Sequence, residues 1–263
     1  YSDPEQRETE IKNISSVYKT LADEILPQLR RARLTANYDV IGRSDEEINE
    51  AFDTDAKVLS ANELLYAATL TNDKARQEAI YKKTTELYPN DFRAYNNLGM
   101  MAYANGDFTT AENYFKQAAS KDANAPEVNT NLGYIELVKG NVANAETYLS
   151  KSTGANTANE ALGNLYIKQG QYDRAVQAFG DTKTNSAALA QILAKDYNKA
   201  KNTLNAVKNP DAYTDYLMAI VGARTNNADL VKTSMAKVAQ KDATLAAKAQ
   251  IDREFAKYAN EIK

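Results

Sequence analysis

Residues 94–115 read AYNNLGMMAYANGDFTTAENYF, residues 130–149 read TNLGYIELVKGNVANAETYL, and residues 161–179 read ALGNLYIKQGQYDRAVQAF. The same residues return in each. Leu98-Gly99 recurs as Leu132-Gly133 and Leu162-Gly163, a second glycine follows at Gly106, Gly140 and Gly170, and an alanine follows at Ala111, Ala145 and Ala175. The pairs Tyr114-Phe115, Tyr148-Leu149 and Ala178-Phe179 close the units. Equivalent glycines lie 34 and then 30 residues apart, a period that specifies stacked supersecondary units and hence a solenoid. Apolar residues recur within each unit at helical steps, so each unit reads as two helices. The first glycine falls inside the first helix, where it costs about 0.8–1 kcal/mol against alanine, a cost that close helix approach can offset. The second falls at the turn, where positive φ ends the first helix. Asp107-Phe108, Asn141-Val142 and Gln171-Tyr172 then begin the second helices, and Pro126 sits at a helix start, where it is tolerated.

Outward from this centre the pattern weakens but continues. Ser60 and Glu63 form a capping box that opens a helix through Leu64, Leu65, Ala68 and Leu70. A second helix with Ala79, Ile80, Tyr81 and Leu87 ends before Pro89, giving an earlier pair over residues 58–91. After Phe179, Ala187 to Ala194 reads as a short first helix, and Asp196-Tyr197 with Ala200 and Leu204 as its partner. Tyr213, Tyr216, Leu217 and Ile220 mark the next helix, and Leu230, Val231, Met235 and Val238 the one after it. A last helix is expected from Thr244 to Ile262, carrying Leu245, Ile251, Phe255 and Tyr258, with its charged residues toward water as a terminal cap.

The first 57 residues are a separate N-terminal region, ahead of an array over 58–263. Ile11, Ile14, Val17, Tyr18, Leu21, Ile25 and Leu29 follow helical steps, so a helix is expected from Asp3 to about Arg33. Asp3 is its cap, Pro4 stands in the first turn, and Pro27 breaks it near its end. Arg30, Arg31 and Arg33 complement the dipole at its C-terminus. Leu34, Ala36, Tyr38 and Val40 alternate with polar residues and read as a short strand before Gly42. Ser44 and Glu47 form a second capping box, opening a short helix from Asp45 to Phe52. Asp53-Thr54-Asp55 fails as a calcium loop, because Lys57-Val58 and Leu64 stand where the motif needs other residues.

Composition narrows the function. The 263 residues contain no Cys, His or Trp, which removes thiol nucleophiles, histidine triads and the usual zinc sites. A net charge of −3 leaves no electrostatic footprint for nucleic acid. No apolar run approaches the length of a membrane helix. The chain starts at Tyr1 without Met, which suggests a piece of something longer.

The repeats resemble the tetratricopeptide repeat. Tyr95, Leu98, Gly99, Ala111, Phe115 and Ala118 fit one unit, and Leu162, Gly163, Tyr166, Ala175 and Phe179 another. Ala123 stands where a closing proline is usual, and the later units are clipped. The resemblance implies an all-α fold: a right-handed superhelical solenoid of helix-turn-helix pairs, five to six units with a C-terminal capping helix and an N-terminal helical segment. It also implies a non-catalytic scaffold that takes a protein or peptide partner in a groove lined by the first helices, without cofactor or metal. By register the groove residues are Tyr66, Asn96, Asn97, Met100, Tyr103, Asn131, Tyr134, Asn164 and Lys168, with Asn62, Thr130, Val138 and Glu160 beside them. Asparagine amides can pair with both backbone groups of a peptide, and tyrosines present apolar area with a polar tip. The carboxylate clamp of chaperone-binding members is not expected, because Asn96, Met100, Thr157 and Ala161 occupy positions that would be basic. More loosely, residues 34–45 resemble the tail of an OmpA-like, peptidoglycan-binding portion of a Gram-negative envelope protein. That resemblance implies a periplasmic, outer-membrane-associated location and an alternative role as a glycan or peptidoglycan binder using Tyr66, Tyr103 and Tyr134.

Overall fold

The computed structural model describes residues 3–13, 15–25, 42–260 and 262. The chain divides into two compact units, Tyr1–Arg43 and Ser44–Lys263. In the first, α1 (Pro4–Asn13) begins where Asp3 Oδ1 accepts the Glu5 amide at 3.0 Å, the side-chain cap that the sequence dictates. A short α2 (Ser15–Thr20) and a π-helical turn (Leu21–Ile25) follow. The expected helix is thus helical wherever it is described, from Pro4 to Asn13 and from Ser15 to Ile25, and its last described turn is π-helical. The Pro27 break, the Arg30, Arg31 and Arg33 cluster and the Leu34–Ile41 strand lie outside them.

The second unit is an all-α solenoid, and every regular element among the described residues is helical. It opens with α3 (Asp45–Asp55), where the Glu47 amide donates to Ser44 Oγ at 3.2 Å and the Ser44 amide donates to Glu47 Oε2 at 2.8 Å. Asp53 receives both terminal nitrogens of Arg76 at 2.9 and 3.1 Å, which ties α3 to the first pair. Six helix pairs then stack in chain order: α4 (Ala61–Ala67) with α5 (Lys74–Leu87), α6 (Phe92–Ala104) with α7 (Phe108–Lys121), and α8 (Pro126–Lys139) with α9 (Val142–Leu149). They continue as α10 (Ala158–Lys168) with α11 (Tyr172–Phe179), α12 (Asn185–Leu193) with α13 (Tyr197–Asn205), and α14 (Ala212–Arg224) with α15 (Ala228–Lys241).

One backbone device makes five of the six turns. The amides of Asp107, Asn141, Gln171, Asp196 and Asn227 reach back to the carbonyls of Ala102, Glu136, Tyr166, Gln191 and Gly222 at 2.8–3.0 Å. This is the six-to-one bond of a helix terminated by a left-handed residue. That residue is Gly106, Gly140 and Gly170 in the regular units, but Lys195 (φ 65°) and Asn226 (φ 56°) in the last two. A side chain in the left-handed region costs about 1–2 kcal/mol, less for asparagine than for lysine. Lys195→Gly is therefore expected to stabilise the protein by up to about 1 kcal/mol, read as a higher urea midpoint at unchanged slope. An unchanged or lowered midpoint would show that the Lys195 turn carries no strain.

The second device is a small residue beneath a large one. A Cβ on Gly99 would lie 2.5 Å from the Phe115 ring, on Gly133 2.5 Å from Leu149, and on Gly163 2.6 Å from the Phe179 ring. At the same offsets the later units hold Ala188 with Leu204 and Ala219 with Met235, each couple in one buried cluster. The repeat beyond Phe179 is thus the same unit with alanine in the glycine's place.

At the C-terminus α16 (Ala243–Ala249) stops short, and a 3-10 segment (Arg253–Tyr258) replaces the rest of the expected helix. Asp252 ends it: its Oδ1 accepts the Glu254 amide at 2.9 Å, while its Oδ2 accepts the Tyr216 hydroxyl. The bend turns Phe255 and Tyr258 onto Tyr216, Met235 and Val238 and leaves Ile251 86% exposed. A straight helix would have kept Ile251 and Phe255 on one stripe.

Candidate functional site

The first helices carry the side chains of the main cleft, a cavity of about 600 Å³. Tyr103 enters from the last turn of α6, Tyr134, Leu137 and Val138 from α8, Glu160, Asn164, Ile167 and Lys168 from α10, and Ser186 and Leu189 from α12. A smaller notch of about 100 Å³ adjoins it, bounded by Met100, Tyr103, Phe115, Asn131, Tyr134 and Thr157. Tyr103 and Tyr134 are common to both. Their ring centroids are 6.4 Å apart, and Tyr103 meets the Phe108 ring edge-on at 5.2 Å, separations typical of favourable aromatic pairs. Burial, and after it the Glu160 carboxylate, push the Tyr134 phenol well above its ordinary range, and burial pushes Tyr103 up as well. Both hydroxyls stay protonated at neutral pH and can donate a hydrogen bond.

The structure treats the predicted groove residues differently. Met100, Tyr103, Asn131, Tyr134, Asn164 and Lys168 line the cleft or its notch. Asn96 and Asn131 spend their amides on each other, with Asn131 Nδ2 donating to Asn96 Oδ1 at 2.8 Å across α6 and α8, and Asn131 is only 8% exposed. Asn97 lies against the Tyr81 phenol of α5. Tyr66 is outside the cleft; its hydroxyl donates to Asp45 Oδ1 at 3.0 Å, and Asn62 accepts Arg93 Nη1 at 2.9 Å. Thr130 is buried, its hydroxyl donating to the Pro126 carbonyl at 2.8 Å. Sequence reasoning missed Leu137, Ile167, Ser186 and Leu189. Leu137 and Ile167 repeat the position of Tyr103, and Leu189 follows Ala188 as Met100 follows Gly99, so the register carries them once Ala188 is aligned with the glycines.

Glu160 is the one carboxylate in the lining of the main cleft, so the two-acid geometry of glycoside hydrolysis has no second member there. Another depression, of about 370 Å³, lies at the turn edge beside Gly170, Arg174 and Lys195. Its guanidinium is already engaged: Arg174 stacks 4.2 Å over the Tyr166 ring, donates to its hydroxyl at 2.9 Å, and bonds Gln171.

Family models described as tetratricopeptide repeat match residues 80–113, 97–160 and 160–183. Curated proteins yield no match to this sequence. Among solved structures, a tetratricopeptide repeat protein from Parabacteroides merdae superposes with a TM-score of 0.55 at 13% identity, covering 98% of both chains. A chain of the APC/C hetero-tetramer Cut9-Hcn1 gives 0.65 at 15% identity over 82% of this chain. PilW, a type IV pilus biogenesis factor, gives 0.54 at 18% identity over 75% of this chain and 97% of its own. The present chain spans 44% of the Cut9-Hcn1 chain, and at these identities the likeness is one of fold. None of the family matches falls on residues 34–45, where the OmpA-like resemblance was placed. With the sequence matches, the repeated turn and the repeated small-under-large contact all in agreement, residues 80–183 carry tetratricopeptide repeats, and the same packing continues beyond them.

Proposed function

We propose that the chain is a non-catalytic interaction scaffold that holds a segment of a partner protein in the cleft of its first helices. The observation that carries this reading is the cleft itself. It runs over four consecutive first helices, joins an apolar notch, and leaves Met100 and Val138 44% and 47% exposed at its rim. Large apolar side chains gathered on one face of a folded chain mark an interaction surface, and aromatic anchors such as Tyr103 and Tyr134 dominate binding energy at such surfaces. The Cut9-Hcn1 neighbour shows a chain of this fold assembled with a second protein, which supports the same use here.

A photo-crosslinking amino acid tests the proposal, placed at Val138 in the cleft or at Lys232 on the second-helix face. Adducts are expected from position 138 and not from 232, and Tyr134→Ala should remove them. Equal labelling from both faces, or labelling indifferent to Tyr134→Ala, would sink the cleft as the binding surface.

A further inference from the structure

We propose that the cleft selects an extended segment bearing one basic and one acidic side chain three or four residues apart, with apolar side chains between them. The inference rests on the cleft being the binding surface and adds the chemistry of the occupant. Glu160 stands in the first turn of α10 and Lys168 in its last, and both line the cleft. Two helical turns separate them, about 12 Å along the axis. Between them lie Asn164 and Ile167 of the same helix, faced by Tyr134 and Leu137 on one side and Leu189 on the other. The cleft is thus negative at one end, positive at the other and apolar in the middle.

These two charges differ from the others that sit between helices. Arg76 pairs with Asp53, Lys139 with Glu112, Arg224 with Glu254, and Lys241 with Asp215. Among the described residues neither Glu160 nor Lys168 has an ion-pair partner. Glu160 is half-buried beside the Tyr134 phenol, whose ionisation it opposes. Glu160 is the single carboxylate of the cleft lining, and a ligand lysine or arginine would give it a charge partner. An extended chain advances about 3.3 Å per residue, so about 12 Å corresponds to three or four residues. A helical occupant would need about eight residues to cover the same distance of about 12 Å, so a spacing of three or four residues between the charges is the mark of an extended one.

Glu160 and Lys168 also complement the dipole of α10, so the test must separate binding from helix stability. Fluorescein-labelled decapeptides with one apolar centre and four charge patterns (basic-acidic, dibasic, diacidic and neutral) are titrated by anisotropy against the full chain. Wild type is expected to bind the basic-acidic peptide about fivefold better than the others. Glu160→Lys should shift the preference to the diacidic peptide, and Lys168→Glu to the dibasic one. A rank order unmoved by either substitution overturns the proposal. Equal binding of all four peptides, abolished by Tyr134→Ala, would overturn the charge assignment while leaving the cleft reading standing. Sedimentation of the protein alone shifting to a monomer in either charge variant would assign the cleft to a second copy and overturn the peptide. If circular dichroism shows a reversal variant unfolded, Glu160→Gln and Lys168→Met replace it, each expected to erase discrimination at its own end only. Retention of that discrimination would count against the proposal equally.

Discussion

Phe115→Ala is expected to lower the unfolding free energy by about 3–5 kcal/mol, the usual cost of truncating a buried aromatic ring. The side chain is fully buried, packs over Gly99 and floors the notch beside Tyr103 and Tyr134, so its loss opens a cavity under the binding face as well. Gly99→Ala addresses the same contact from the other side. The added methyl would fall 2.5 Å from the Phe115 ring, and the overpacking should cost about 1–3 kcal/mol. The decisive measurement is the double-mutant cycle by urea unfolding. In a Phe115→Leu background Gly99→Ala should cost less than half as much, because Ala188-Leu204 and Ala219-Met235 show that the unit accepts alanine under a smaller, flexible side chain. Strict additivity would mean that the glycine serves something other than the ring.

The second large effect belongs to the other end of the array. Phe255→Ala should cost about 3–5 kcal/mol locally, because Phe255 is 1% exposed and meets the Tyr216 ring edge-on at 5.5 Å. Repeat arrays are stabilised by nearest-neighbour contacts, so the loss should be confined. Hydrogen exchange is expected to accelerate in α14, α15 and α16 and to remain slow in α6 to α9. Uniform loss of protection along the chain would contradict a modular array and require global coupling instead.

What could be read from the sequence follows from which interactions are local. Gly106, Gly140 and Gly170 announce their turns because the backbone conformation itself excludes most side chains. Lys195 and Asn226 hide the same turns, since there the six-to-one hydrogen bond and the stacked neighbours hold the left-handed residue in place without glycine. Both capping boxes were legible, each being contained within four residues. The final helix was misjudged because its break depends on a contact between residues far apart in sequence, Tyr216 with Asp252. Asn96 and Asn131 stand on first helices, as the register places them, but their mutual hydrogen bond links adjacent repeats and no single-repeat pattern reveals it. Glu160 and Lys168 are groove residues by register, but their standing at opposite ends of an apolar stretch depends on neighbours from α8 and α12, which the sequence of α10 does not contain.

The repeated turn and the repeated small-under-large contact also bear on how the chain acquires its structure in time. Each turn bond spans only five residues and each packing couple sixteen, as from Gly99 to Phe115. Closing such short loops costs little chain entropy, and contacts of low sequence separation form rapidly. A helix pair can therefore complete its own core while the following residues are still being synthesised, and the next pair adds to a surface already formed. The unfilled face of the growing array is then never larger than a single repeat, which limits the apolar area exposed to other nascent chains.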